Sequence, residues 1–505
     1  MTADPCPKMR ETMRLRVRFN SVRFRVKYFR LALMSLLATF LLLGISSAAR
    51  SSMFHAGMLA LGFSPQDSQA PRTFLGPDER YKADILVVVA HPDDEAAVTP
   101  YLARAIDEGK RVAVVYGTRG GSGSNQAGSE HAAALADIRE IEARRACASL
   151  GIVNVWFLGG KDTASQNVLQ SLATWGDGAT LEEIVRLVRL TRPDVILTFF
   201  PGVFIGENHG DHQASGVLAT EAFDLANDPA VFAFQVAGPT RRLEPYLENL
   251  RPWQPKKIYY FGTGTEKFKD SGPSYSVTGI SKSRHIPYWR VALESFKAHE
   301  SQEKKYIDSL ATLSEQDLEK QATDGWGSAQ TFVLGKSLVG GSLTGDIFEN
   351  ISVSPVVLAP RVLSSSPVPT QISIELGGPW SFYRDFHLAH GLERLPKLDV
   401  PEIAVAAGGT LEIPIWLQNP TNATQEIKLS VTAPNGWTVN NGADLYSVRP
   451  GENDAATIEI AVPQLPASET KSKDIMEITV TGESMGRNIG AIKLRVELRS
   501  HALPQ

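Results

Sequence analysis

Two short runs gather the residue types from which hydrolytic sites are built. His91-Pro92-Asp93-Asp94-Glu95 sets an imidazole beside three carboxylates. His209-Gly210-Asp211-His212 sets two imidazoles around a fourth. Adjacent acids repel one another, and a cation resolves that repulsion. An acidic helix start, favoured by the helix dipole, accounts for Glu95. It does not account for a histidine placed directly after an apolar strand. Two His and one Asp are a suitable donor set for a catalytic Zn²⁺, with the fourth position left for water. The same set tolerates Fe²⁺ or Mn²⁺. The two cysteines, Cys6 and Cys147, exclude a thiolate zinc cluster and a disulfide scaffold.

Each run follows a segment that reads as a strand buried on both faces. Ala83–Ala90 is apolar apart from Asp84 and runs directly into His91. Val195–Phe200 leads through the loop Pro201–Asn208 to the second run. Val112–Tyr116 and Ile152–Leu158 are two further strands of this kind. Helices are expected over residues 130–150, closed by Gly151, over 180–191 with Thr180 as cap and Glu183 three residues on, and over 213–226. Strand alternating with helix predicts an α/β fold, a Rossmann-like, mainly parallel sheet flanked by helices. Ligands bind such sheets outside the carboxyl ends of the strands, so both runs converge on one face. Beyond residue 305 the rhythm changes, and residues 306–397 show strand-like pieces without a clear order. From 398 the chain reads as all β. Strands are expected at Thr410–Leu417, Thr424–Thr432, Ala456–Val462, Asp474–Thr481 and Ile489–Leu498, separated by turn signals such as Pro450-Gly451. That spacing predicts an immunoglobulin-like sandwich over 398–499.

The strand followed by Ala90–Glu95 (AHPDDE) and the later H-x-D-H at His209–His212 resemble the LmbE-like/PIG-L deacetylase family. Thr118-Arg119-Gly120, Arg139 and Glu142 with Leu150-Gly151, Asp162, Arg192-Pro193-Asp194 and His299-Glu300-Ser301-Gln302 are similar to further elements of that family. The resemblance covers about residues 81–305. It implies a metal-dependent hydrolase that removes an N-acetyl group from an amino sugar or glycoconjugate by attack of metal-activated water. By the same resemblance His91, Asp94 and His212 are metal ligands, Asp93 is the general base, and His209 stabilises the oxyanion or protonates the leaving amine as an imidazolium. Arg139, Asp211 and Thr118 are expected to contact substrate, and Zn²⁺ is the expected ion. Gly210 stands where proline is frequent in the family. A Gly-Ser loop, Gly120–Ser124, reads either as a lid over the site or as a solvated linker. The tail is similar to the NEW3-type β domain, through Ala433–Trp437, Pro450-Gly451 and Val462-Pro463, with Trp437 expected in its core.

At 505 residues, 43% hydrophobic and 21% charged, the chain has room for about three domains and needs no covalent staples. Its net charge of −4 gives no support for nucleic-acid binding. The charge is unevenly spread. Residues 1–30 hold nine basic groups and two acids, and an uncharged stretch from Leu31 to Ala49 follows, ending in small residues. This is the pattern of a signal peptide or signal anchor over residues 1–49, followed by a linker over 50–80. It implies export, as a secreted, periplasmic or envelope-anchored protein, with membrane contact through the N-terminal segment. Removing those nine bases and two acids shifts the net charge from −4 to −11. Two rival readings remain open at this point: a non-catalytic carbohydrate-binding surface protein, and a metal hydrolase of another amide or an ester. Oligomeric state does not follow from the sequence.

Overall fold

The computed structural model describes residues 78–499 apart from 203–208, 239–247, 263–271, 357, 359–368, 396–400 and 465–474. The expected N-terminal signal and most of the expected linker lie outside the described residues, as does most of the loop before His209. Among the described residues, no helix is long and apolar enough to cross a membrane.

The strands of the first layer are β1 (Ile85–Val89), β2 (Val112–Tyr116), β3 (Asn154–Phe157), β4 (Val195–Phe199) and β5 (Lys257–Phe261). A short pair, β6 (Ser274–Ser276) and β7 (Ala329–Thr331), precedes β8 (Val333–Ser337). The main sheet runs β3-β2-β1-β4-β5-β8, parallel except at β8. Apolar, largely β-branched residues fill β1 because helices cover both faces of the sheet. Leu86 and Val88 enter one core cluster, Ile85, Val87 and Val89 the other. The first cluster packs under the helices Val168–Trp175, Asp177–Thr191 and Gly210–Leu225, the second under Thr99–Asp107, Ala132–Leu150 and Tyr288–Phe296. The chain builds outward from β1 to β3, then crosses back to place β4 on the other side of β1. The gap between the carboxyl ends of β1 and β4 is therefore the switch point of the sheet, where a crevice must open.

The expected strands are found within three residues of their predicted ends. Two helix starts differ. The helix expected over 180–191 begins at Asp177. Gly176, at φ 67°, supplies the left-handed turn that ends Val168–Trp175 and opens the next helix. Thr180 is thus not a cap; its hydroxyl donates to Trp175 O from inside the helix. The helix expected from 213 begins at Gly210, which puts Asp211 and His212 in its first turn.

The all-β part is a two-sheet sandwich. One sheet runs β10 (Glu402–Ala406), β17 (Arg487–Arg499), β16 (Ile475–Ser484), β12 (Gln425–Thr432), β14 (Leu445–Val448). The other runs β13 (Thr438–Asn441), β15 (Asn453–Ala461), β11 (Thr410–Gln418), β9 (Ser373–Leu376). Alternate residues such as Leu411, Ile413, Ile415 and Leu417 face the shared core, and Trp437 is buried there. Strand β9 and the helix Pro379–His390 come from the stretch whose order the sequence left undefined. β9 pairs with β11, while the helix buries Tyr383 and Phe386 in the α/β core.

Candidate active site at the β1–β4 switch point

The site grows from the end of β1. Asp94 folds back over that end, where its Oδ2 accepts hydrogen bonds from the backbone N–H of Ala90 (3.0 Å) and His91 (2.6 Å). Its Oδ1 lies 3.1 Å from His212 Nε2. His91 is held on its far side, with Nε2 2.9 Å from Asp162 Oδ1 and 3.2 Å from Asp211 Oδ2. Acceptors on that side hold a proton on Nε2, and Nδ1 faces Asp94, 3.5 Å away. His212 stacks on Phe199 at 4.2 Å between ring centroids. His209 caps the helix Gly210–Leu225: its Nδ1 accepts from Asp211 N at 3.2 Å. Its proton therefore sits on Nε2. The three rings lie 4.8–5.2 Å apart, with one nitrogen of each within 4.8 Å of the others.

Asp93 occupies a backbone conformation with φ 97°, in the left-handed region that non-glycine residues enter at a cost of about 1–2 kcal/mol. Two neighbours hold it. Its N–H donates to Glu95 Oε2 (3.2 Å), and Gln302 Nε2 donates to both Asp93 Oδ2 and Pro92 O, each at 2.6 Å. Glu95 is itself fixed through Oε1, 2.6 Å from His299 Nε2 in a fully buried pair. His299 and Gln302 thus brace the first run from behind. Ser301, between them, donates its N–H and hydroxyl to Glu142 of the helix Ala132–Leu150.

The electrostatics follow from four carboxylates around one imidazole. Burial alone would lower the pKa of His91, but the charge of Asp94 and the bonds from Asp162 and Asp211 carry it well above its ordinary value. Burial favours protonated Asp94, yet the nearby charges of His212 and His91 hold it below the carboxylate range. For Asp93, burial together with the charge of Asp94 outweighs the opposing charges of His299 and His91 and pushes it up to about 7. His209 is pushed down to about 4 by burial and by its two imidazole neighbours. A neutral His209 with its proton on Nε2 is thus favoured over the imidazolium expected from the sequence. The pocket draws positive charge to the space among His91, Asp94 and His212. Ligand atoms of His91, His209 and His212, and of His91, Asp162 and Asp211, lie within 4.8 Å of one another, so the pocket offers His and Asp donors that fit a divalent cation.

The remaining residues singled out from the sequence are placed differently. Asp211 was expected to contact substrate. It is fully buried, and its oxygens accept from Thr163 N (2.9 Å) and Thr163 Oγ1 (2.7 Å) as well as facing His91. A carboxylate so engaged has no oxygen left for a sugar; it orients His91. Thr118 is also fully buried, and its hydroxyl oxygen accepts from Gly120 N at 3.1 Å. Arg139 is buried and binds the carbonyls of Gly120 and Ser124. The Gly-Ser loop is accordingly neither a free lid nor a solvated linker, because Ser122 also bonds Asp162 through its N–H and hydroxyl. Gly210 is explained as well. Its N–H donates to Ser165 O at 2.6 Å, and a Cβ there would meet Ser165 O at 2.9 Å. Proline has no N–H to give. Sequence reasoning missed the function of Gln302, although the H-x-S-Q quartet that contains it was visible.

Comparison with known proteins agrees with this geometry. The family model for GlcNAc-PI de-N-acetylase (PIG-L) matches residues 86–223. A 1D-myo-inositol 2-acetamido-2-deoxy-alpha-D-glucopyranoside deacetylase from Thermobifida fusca is 27% identical over 255 residues, 43% of this chain and 82% of that protein. A protein of the same description from Frankia alni is 32% identical over 188 residues, 34% of this chain and 59% of that protein. This chain thus spans less than two thirds of the second relative. The N,N'-diacetylchitobiose deacetylase structure from Pyrococcus horikoshii covers 58% of this chain and 94% of its own, at 18% identity and a TM-score of 0.36. The α/β part of this chain is thus similar to PIG-L/LmbE-like deacetylase domains.

Proposed function

We propose that this protein is a divalent-metal-dependent hydrolase, with Zn²⁺ as the first candidate, that removes the N-acetyl group from an amino sugar or glycoconjugate. The observation that carries the reading is the convergence of His91, Asp94 and His212 with Asp93 and His209 at one switch point. When bound, the ion supplies Lewis acidity, polarising the amide carbonyl and making water acidic near neutral pH. The protein groups do the rest. Asp93 takes the proton of the attacking water as the oxygen–carbon bond forms. His209 donates its Nε2–H toward the oxygen on which negative charge develops. Asp93 then returns the proton to the nitrogen as the carbon–nitrogen bond breaks, and acetate and a free amine leave. Asp162 and Asp211 keep His91 in the tautomer that presents Nδ1. The charge pattern of residues 1–49 supports export of the enzyme from the cytoplasm.

The test is acetate release from N-acetylated sugars, glycolipids and cell-wall fragments by the zinc-loaded full chain. Asp93→Asn suits the left-handed backbone and should keep the metal while losing about 10²–10⁴-fold in rate. His91→Ala should lose stoichiometric metal. Normal turnover by Asp93→Asn would remove Asp93 from the role of base. Stoichiometric zinc with cleavage of esters and no acetate from any N-acetyl sugar would keep the site but change the bond.

A further inference from the structure

The helix Pro379–His390 lies between the two parts of the molecule and does more than bury an apolar face. Three polar side chains at i, i+4 and i+7 form one stripe along it, and each reaches the segment that carries the second run. Tyr383 donates its hydroxyl to Gln213 Oε1, on the residue immediately after His212. His387 donates from Nε2 to Pro201 O at 2.7 Å, just past the end of β4. His390 Nδ1 lies 2.7 Å from Asp224 Oδ2, near the far end of the helix Gly210–Leu225, where Lys336 Nζ also binds. The entry to the run, its exit and the end of its helix are therefore all gripped by one element.

The other end of the same element is fastened to the sandwich. Gly377 N donates to Pro414 O at 2.9 Å, Trp416 Nε1 lies 3.3 Å from Ser381 Oγ, and Trp380 packs on the sandwich core. A second tie runs to the loop that carries Asp162. Gln166 donates from Nε2 to Ala404 O (2.7 Å) and accepts from Ala404 N (3.0 Å). Both loops behind His91 and His212 are thus held by residues from the C-terminal part of the chain.

Apolar burial by Phe386, Leu392 and Leu395 already attaches this helix to the α/β core. Buried hydrogen bonds add little net stability, about 0.5–1.5 kcal/mol each, but they fix position. Gln213 makes the case most clearly. It is fully buried, and its amide nitrogen has no hydrogen-bond partner among the described residues, so Tyr383 is what orients its side chain.

We propose that the helix Pro379–His390 is a clasp through which the C-terminal part of the chain positions the His209–His212 segment, making Tyr383 and His387 positioning residues for metal binding and turnover. The inference rests on the functional reading above only for the identity of the reaction. It is tested on the full chain by zinc titration, by steady-state acetate release and by thermal unfolding, with Tyr383→Phe, His387→Leu and His387→Gln. Tyr383→Phe and His387→Leu should each weaken zinc binding about 10-fold, the scale seen when supporting shells of metal sites are disturbed. They should lower kcat while KM stays within about twofold. His387→Gln keeps an N–H donor near the position of Nε2 and should recover most of both. Zinc affinity and kcat unchanged in both Tyr383→Phe and His387→Leu would overturn the proposal. So would a zinc deficit that disappears once the unfolded fraction is subtracted, or one that His387→Gln shares in full. A wild-type chain that binds zinc but releases no acetate sinks the deacetylase reading, and the zinc titrations still decide the clasp.

Discussion

Replacing Gln302 with methionine isolates what holds Asp93, the proposed general base. The two side chains have similar length, so packing is kept and the N–H donor is lost. Gln302 Nε2 makes two bonds of 2.6 Å, one to the Asp93 carboxylate and one to the Pro92 carbonyl. A hydrogen bond to a charged group contributes about 1.5–3 kcal/mol and a neutral one about 0.5–1.5 kcal/mol. Water can reach Asp93, which is half-buried, so part of that loss is recovered and about 1.5–3 kcal/mol remains. If that loss falls on the transition state, kcat drops about 10–100-fold. Gln302 has no bond to His91, Asp94 or His212, so zinc affinity should hold. KM should hold as well. The bond favours the ionised carboxylate, so removing it raises the pKa of Asp93. The base must be ionised to act, and the acid limb of the kcat/KM profile therefore moves to higher pH. Initial rates of acetate release over pH and substrate, with zinc content measured on the same samples, decide the matter. A kcat within about twofold of wild type refutes the idea that Gln302 holds a working base. Zinc lost in step with kcat refutes it too, by making the effect one of metal loss.

Two further outcomes test the frame around the site. Asp211→Asn keeps the shape of a fully buried residue but removes the charge facing His91 Nε2; it should weaken zinc binding about 10–100-fold by titration. Arg189→Met strips donors from Ala226 O, Asp228 O, Val231 O and Gln235 Oε1 in a fully buried position. It should cost about 3 kcal/mol or more in denaturant unfolding. Arg189 sits just before β4, at the end of the sheet opposite the site, so kcat per folded molecule should not change.

The α/β half of the fold was legible because both faces of its sheet are buried. Runs such as ILVVV and VAVVY have no polar residue to blur them, and each predicted strand is present. The two His/Asp runs were legible for a related reason: each follows an apolar run, the first directly and the second after the loop 201–208. What the sequence hid was anything set by distant contacts. Thr180 looks like a cap by local rule, yet Gly176 moves the start because the preceding helix has to end there. Asp211 and Thr118 look like free polar groups until the fold buries them. The helix Pro379–His390 carries His387, His390, Arg384 and Asp385 among its aromatic residues. Its amphipathic pattern is obscured because its polar residues face protein acceptors as well as solvent.

The position of Asp93 explains why the first run needs so many supports. In the proposed role, Asp93 must reach water beside Asp94 without joining the metal ligands, and its backbone turns away from the strand at φ 97°. Glycine would turn there easily but carries no carboxylate, so the strain is inseparable from the chemistry. The cost of about 1–2 kcal/mol is offset locally by the Glu95 acceptor and the Gln302 donor. Glu95 is in turn fixed by His299, whose Nε2 lies 2.6 Å from its Oε1. Burial would lower the pKa of His299, but Glu95 raises it to about 9. The buried pair holds Glu95 in place, Glu95 holds the Asp93 backbone, and Gln302, three residues after His299, holds the Asp93 carboxylate. The quartet His299–Gln302 thus never touches the donor set, yet it fixes the residue that must act beside it.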